Sequence, residues 1–207
     1  MPVEFTLVYR GPLHAKSGNA GERQDIRDQL HPQLAFLLAK QWEFGGDLVT
    51  RENLPKAFLK GGEVDIRRPI EDTPYYIWEV GGYQFVPLVT SVHALACELD
   101  ILWLKREAPG TILQSGGDLD NRLKSLIDGL RMPMSEAELG GRTPNQNDRR
   151  RYVLLDDDRR ITRFHVDTRE LLELPKPGDR PSGVELIINV RVYSAESLNM
   201  NLLFQGR

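Results

Sequence analysis

Leu119, Leu123, Leu126, Ile127 and Leu130 recur at the offsets of one helical face. The stretch from Asp118 to Leu130 therefore predicts an amphipathic helix whose apolar stripe must be buried against something else. That requirement constrains the chain more than any other feature, because the polar residues of the same helix are then fixed on its outer side. Asp120, Lys124 and Asp128 share such a stripe, each one turn beyond the last. At about 1.5 Å of rise per residue, Lys124 lies about 6 Å along the axis from Asp120 and Asp128 about 12 Å. Lys124 can join a site built on Asp120. Asp128 is expected to serve the helix or the base of the fold instead.

Asp118 and Asp120 stand at the helix N-terminus, where free backbone N–H groups and the macrodipole favour negative charge. A second acidic group, Asp156-Asp157-Asp158, follows after a polar stretch. Several carboxylates with a substrate phosphate are a sufficient donor set for magnesium, which takes oxygen ligands and keeps waters. Metal-assisted phosphodiester cleavage is the chemistry this set suits. Taken singly, each part has a plainer explanation: an aspartate at a helix start is a cap, Asp120 and Lys124 are a surface ion pair, and the aspartate run is a solvated turn. The combination is what points to a metal site.

At these residues the chain resembles the RusA family of Holliday-junction resolvases. Its first motif reads here as Asp118-Leu119-Asp120-Asn121, with Lys124 three residues after the asparagine and Asp128-Gly129-Leu130 beyond it. The second motif is an acidic pair, two variable residues and an aliphatic residue that opens a strand. It reads as Asp157-Asp158-Arg159-Arg160-Ile161. The other register, Asp156-Asp157, puts Arg160 where the aliphatic residue belongs. The resemblance covers about Ala94 to Val166. The chain departs from the family in its long connection, Arg131 to Leu154, and in the extra length between Phe44 and His93.

The resemblance implies a magnesium-dependent (or manganese-dependent) DNA endonuclease with Asp118, Asp120 and Asp158 as catalytic carboxylates. Asp118, Asp120, Asp157 and Asp158 would be the metal ligands, and Lys124 a cationic stabiliser of the transition state. It also implies a homodimer, since a four-way junction offers two symmetry-related strands to two matching sites. The alternatives are a non-catalytic nucleic-acid-binding accessory protein with the same fold, or a metal-dependent nucleotide phosphohydrolase.

A net charge of −3 sits awkwardly with a DNA-binding role, which ordinarily needs a basic face. The basic residues are clustered, however: Arg142, Arg149, Arg150, Arg151, Arg159, Arg160 and Arg163 flank the second acidic motif. Of these, Arg149, Arg150, Arg151, Arg159 and Arg160 are the candidate DNA contacts, against the plainer reading of a solvated arginine loop. Cys97 is the lone cysteine, which excludes a disulfide framework and any cysteine-rich zinc site and suits a reducing, cytoplasmic setting. No apolar run approaches the roughly 18 residues of a membrane span. His14, His31, His93 and His165 are dispersed and read as packing or surface residues. Nucleotide-binding glycine loops and serine-hydrolase elbows are missing from the sequence.

The remaining pattern predicts an α+β fold, a small mixed and partly antiparallel sheet flanked by helices, in one domain over 1–198. Val3–Tyr9 reads as a strand closed by Gly11-Pro12, and Asp25–Trp42 as a helix that Pro32 should break or kink. Within the elaboration at 44–93, Leu54–Leu59 reads as a short helix, and Tyr75–Val80 and Tyr83–Leu88 bracket Gly81-Gly82 as a hairpin. The aromatic residues Tyr75, Tyr76, Trp78, Tyr83 and Phe85 suit strand packing, with base stacking as the other option. Leu95, Cys97, Leu99, Ile101 and Trp103 alternate through a central strand that leads into the acidic helix by way of Ala108-Pro109-Gly110. Arg131–Leu154 lacks a period and reads as a flexible insertion. Strands follow over Thr162–Val166 and Val184–Val192, joined through Leu174-Pro175-Lys176-Pro177-Gly178. The segment 199–207, with Leu203-Phe204-Gln205-Gly206, resembles a protease-site tag and takes no part in the functional reading.

Overall fold

The structure is a computed structural model of the 207-residue chain, and it describes residues 3–14, 20–45, 77–106, 119–145, 149–172 and 183–195. Asp118, Tyr75, Tyr76, the expected helix Leu54–Leu59, the loop at 108–110 and the connection at 174–178 lie outside the described residues. The fold is α+β, as the alternation of strand and helix patterns leads one to expect. In chain order the elements are β1 (Val3–Pro12), α1 (Ala20–Gly45), β2 (Trp78–Val80), β3 (Tyr83–Val89), β4 (Leu95–Lys105), α2 (Leu119–Leu130), β5 (Arg150–Leu155), β6 (Ile161–Glu170) and β7 (Gly183–Ser194).

The strands form two sheets rather than one. The larger has the order β1-β7-β4-β6, with β7 antiparallel to both neighbours and β4 parallel to β6. The smaller has the order β2-β3-β5, an antiparallel hairpin extended by a parallel strand. The extra sequence before His93 is therefore partly structural, because β3 carries β5. Val80 pairs with Tyr83 across Gly81 and Gly82, whose φ values of 55° and 80° are what a two-residue hairpin turn of the primed type needs.

Period-two alternation decides the burial of the larger sheet. Leu95, Cys97, Leu99, Ile101 and Trp103 of β4 and Val184, Leu186, Ile188, Val190 and Val192 of β7 all point into one core. Leu126 and Leu130 of α2 and Ile26, Leu30 and Leu34 of α1 join them there, so both helices cover the same face. The predicted apolar stripe of α2 is the one that is buried. Gly129 lets the two helices approach: a Cβ there would stand 2.8 Å from the Ile26 side chain. A second cluster of Tyr83, Phe85, Leu139 and Val153 fills the space beside the small sheet. Tyr83 and Phe85 are thus packing residues, and base stacking is not open to them.

Two expectations need correction. Pro32 lies inside α1, which starts at Ala20 and runs through it. A proline costs a helix about 3 kcal/mol, and here side chains on either side of it tie the helix to both sheets. Gln29 and Gln33 bond the backbone of β1, and His31 Nδ1 accepts the N–H of Tyr152 in β5 at 2.9 Å. The second correction concerns 131–154, read as a flexible insertion. It contains a 3-10 turn at Glu136–Leu139 and most of β5. Charge and isolated apolar contacts anchor it together: Arg142 reaches Asp25 and Asp28 of α1 at 2.6 and 2.9 Å, and Leu139 and Val153 are buried in the second cluster.

Candidate metal and nucleic-acid site

The second acidic motif occupies the turn between β5 and β6. Ile161 is the first residue of β6, so the aliphatic position of the motif does open a strand. The three aspartates before it have three different surroundings. Asp156 is buried, 6% exposed, and its Oδ2 accepts from both the N–H and the hydroxyl of Ser91, at 2.6 and 2.8 Å. Asp157 caps the 3-10 turn Asp158–Arg160 by accepting the N–H of Arg159 at 2.9 Å. That backbone bond, a side-chain bond with Asp158, and the positive charges of Arg159 and Arg160 together hold the Asp157 carboxyl below the usual carboxylate range. Asp158 is exposed. Two adjacent carboxyls, Asp157 and Asp158, therefore face outward while the third is turned in.

The first motif opens α2. Asp120 lies in its first turn and is exposed, as is Lys124 one turn later. Asp128, at the other end of the stripe, is bound by Arg23 and Arg131 at 3.1 Å each. It belongs to the base of the fold, as its distance from Asp120 suggested. The same end is held by Arg27 of α1, a fully buried guanidinium that donates to the carbonyls of Asp128 and Arg131 at 2.7 and 2.9 Å. These are carbonyls that a helix C-terminus leaves without intrahelical partners. Burial pushes the Arg27 pKa down to about 10, which still leaves it charged at neutral pH.

Asp120 stands at the N-terminal end of α2, whereas the second acidic group follows Leu155, which is tied to the chain just past the other end of the helix. Arg131, just past the helix, bridges to Leu155, and Met132 N donates to Leu155 O at 2.9 Å. Arg131 is eleven positions beyond Asp120, about 16 Å along the axis. Among the described residues, no three His, Cys, Asp or Glu side chains form a group that could hold a metal ion. The structure thus brings Asp157 and Asp158 together and places Asp120 with Lys124, but it does not join the two pairs. In donor chemistry Asp120, Asp157 and Asp158 suit a hard divalent cation, since each offers carboxylate oxygens.

The candidate DNA contacts divide in the same manner. Arg151 has a side chain only 12% exposed; its Nε donates to Asp28 of α1 at 3.1 Å and its guanidinium lies 5.2 Å from the Tyr83 ring centre. It is a packing residue, which corrects its assignment to DNA. Arg142, whose pKa is raised first by its hydrogen bond to Asp25, is likewise tied to α1. Arg149 is exposed and donates from Nε to Gly82 O, while Arg150 is half-buried. Arg160 lies partly buried with Nε 3.9 Å from Asp156 Oδ1. Arg159 is open to solvent, its side chain 84% exposed with Nε 3.8 Å from Asp157 Oδ1. Arg163, in β6, lies 3.7 Å from Glu98.

Sequence reasoning missed the pairing of Ser91 with Asp156. A single signal was present: Asp156 follows an unbroken apolar run, so it is the aspartate nearest the core. Nothing in the sequence points to Ser91. The four histidines serve packing and pairing: His14 bonds Glu22, His31 stacks on Tyr152, His93 bonds Thr90 and His165 faces Asp100. No helix among the described residues is long and apolar enough to cross a membrane. No protein-family profile, no curated protein and no solved structure matches this chain.

Proposed function

We propose that the chain is a magnesium-dependent, structure-selective DNA endonuclease acting on four-way junctions, as its resemblance to the RusA resolvases implies. The observation that carries the reading is the outward pair Asp157-Asp158 on a capped turn immediately before the strand that Ile161 opens, in the same molecule as a helix that presents Asp120 and Lys124 to solvent. Asp118, Asp120, Asp157 and Asp158 would hold one or two Mg²⁺ ions, with Mn²⁺ as a substitute. When bound, the ion supplies a polarised phosphate and a nucleophilic water at neutral pH.

The chain's own residues have separate tasks. Asp157, held below the usual carboxylate range, supplies negative charge at a fixed turn, with the exposed Asp158 carboxyl beside it. Lys124, one turn from Asp120, places a positive charge where the pentacoordinate phosphorus builds up negative charge. Arg159, exposed beside Asp158, is the best-placed of the candidate arginines to meet a phosphate backbone. The proposal requires the two acidic pairs to converge on one scissile phosphate in the DNA complex. A homodimer would offer two such sites to the two strands of a junction.

Incubating the protein with Mg²⁺ and labelled four-way junction, linear duplex or free nucleotide distinguishes the readings. Paired nicks in the junction alone support a resolvase. Hydrolysis of the nucleotide would favour a phosphohydrolase, and binding without cleavage an accessory protein.

A further inference from the structure

Asp156 is the aspartate of the second motif most deeply set in the fold. Its backbone N–H donates to Val89 O at 3.0 Å, which carries the β3–β5 pairing one residue past the end of the sheet. Its Oδ2 takes two hydrogen bonds from Ser91, in the turn between β3 and β4. Its Oδ1 is buried without a hydrogen bond and faces Arg160 Nε at 3.9 Å, across the acidic turn. That turn before β4 is itself braced, since Thr90 Oγ1 lies 2.6 Å from His93 Nδ1 and also accepts the N–H of His93 at 3.2 Å. A charged carboxylate accepting two short bonds makes a stronger tie than neutral groups would.

We infer that Ser91 and Asp156 form a clamp that positions the outward Asp157-Asp158 pair for its cation, Asp156 acting as a positioning residue rather than as a ligand. The inference rests on the nuclease reading. With Oδ2 committed to Ser91, Asp156 cannot turn toward the solvent side without abandoning two bonds and leaving the Ser91 N–H without its acceptor. Within the turn the bonds are local, and the next tie to the larger sheet comes at Ile161, which pairs with Cys97, and at Thr162, whose Oγ1 donates to the Cys97 carbonyl at 3.1 Å. Asp157 is fixed by a local bond to Arg159, and Arg160 N donates back to Asp157 O at 3.2 Å, so the turn is held by its own bonds, and Asp156 sets its orientation at the β5 end as Ile161 does at the β6 end. Supports of this kind around metal ligands are known to tune affinity rather than to enter the chemistry.

The test compares wild type, Ser91→Ala, Asp156→Asn and Asp158→Asn as full-length chains. Two quantities are read: the Mg²⁺ concentration for half-maximal junction cleavage, and Mn²⁺ affinity by calorimetry without DNA. Asp156→Asn should need about tenfold more Mg²⁺ and bind Mn²⁺ about tenfold more weakly, yet recover most of the maximal rate at saturating metal. Ser91→Ala, which keeps the backbone bond, should shift in the same direction by less and guards against a variant of Asp156 that fails to fold. Asp158→Asn should not be rescued by metal. An unchanged metal requirement in both Ser91→Ala and Asp156→Asn would overturn the clamp, and so would a loss of maximal rate in Asp156→Asn that metal cannot restore. If wild type binds Mn²⁺ but cleaves nothing, the nuclease reading fails while the Mn²⁺ affinities still decide the clamp. A wild type that cleaves the junction but binds no Mn²⁺ without DNA overturns the clamp and leaves the nuclease reading standing.

Discussion

Gln33 holds both backbone groups of Val8: its Oε1 accepts the Val8 N–H at 2.9 Å and its Nε2 donates to the Val8 carbonyl at 2.8 Å. Gln29, one helical turn earlier, does the same for Arg10 at 2.7 and 2.9 Å. Two glutamines of α1 thus stand in for a missing strand along β1, the edge of the larger sheet, and remove the unpaired groups that make an edge a template for aggregation. Replacing Gln33 by Ala leaves the half-buried Val8 groups without partners and should cost about 1–3 kcal/mol. Denaturant unfolding measures this, and hydrogen exchange at Val8 should speed up in parallel. A change below about 0.5 kcal/mol, the scale of ordinary surface substitutions, would show that water replaces the glutamine freely.

Arg27 is a stronger test of the fold because three elements meet on one side chain. Its Nε and Nη2 bond carbonyls beyond and within the end of α2, and its Nη1 reaches Glu138 O at 3.3 Å in the 3-10 turn. Arg27→Ala should destabilise the protein by roughly 3–5 kcal/mol, as breaking buried charged networks does. Arg27→Lys should recover little of this, since an ammonium lacks the planar fork that serves several carbonyls at once. Equal stability of Arg27→Lys and wild type would contradict the role.

How much of this could be read from the sequence depends on what carried the information. Wherever burial follows a period, the residues announced it: the β4 and β7 alternations, the α2 stripe and the Gly81-Gly82 turn are all in the structure at the expected places. Asp128 was separable from Asp120 by helical rise alone. The misreadings come from long-range polar contacts, which leave no period. Arg142 and Arg151 look like solvent-facing charge until Asp25 and Asp28, more than a hundred residues earlier, are seen opposite them. Pro32 looks like a helix break until Gln29, His31 and Gln33 are seen holding the helix on both sides. The inward turn of Asp156 depends on Ser91, 65 residues away.

Acid should act on the structure through His93. Burial pushes its pKa down to about 4 from the ordinary 6.5, so the folded state keeps it neutral while the unfolded chain protonates it. The unfolded state then binds more protons between pH 6.5 and 4, and stability falls with falling pH across that window. The loss is on the order of 3 kcal/mol when complete. Unfolding free energies of wild type and His93→Gln measured from pH 7 to 4 should show the variant less stable at pH 7 and with a flatter pH dependence. Parallel curves would show that His93 does not titrate as its burial requires.

The arginines of the candidate interface should separate by environment. Arg159→Ala should weaken junction binding and reduce the steepness of its salt dependence by about one counterion, with unfolding free energy nearly unchanged. Arg151→Ala should do the reverse, lowering stability through the lost contacts with Asp28 and Tyr83 while leaving the salt slope intact. Salt titrations of junction binding alongside denaturant curves check both, and a salt slope that responds to Arg151 but not to Arg159 would invert the assignment.

The most direct measurement is the cleavage of a four-way junction in Mg²⁺ by wild type and by Asp120→Asn, with junction affinity measured in parallel in Ca²⁺. Wild type should make symmetrically paired nicks, and the variant's rate should fall at least about a hundredfold, the scale on which losing a transition-state interaction is felt. Affinity should stay within about threefold, because phosphate contacts rather than metal ligands carry binding. A wild type that leaves the junction intact, or an Asp120→Asn protein that cleaves it at the wild-type rate, would contradict the central claim.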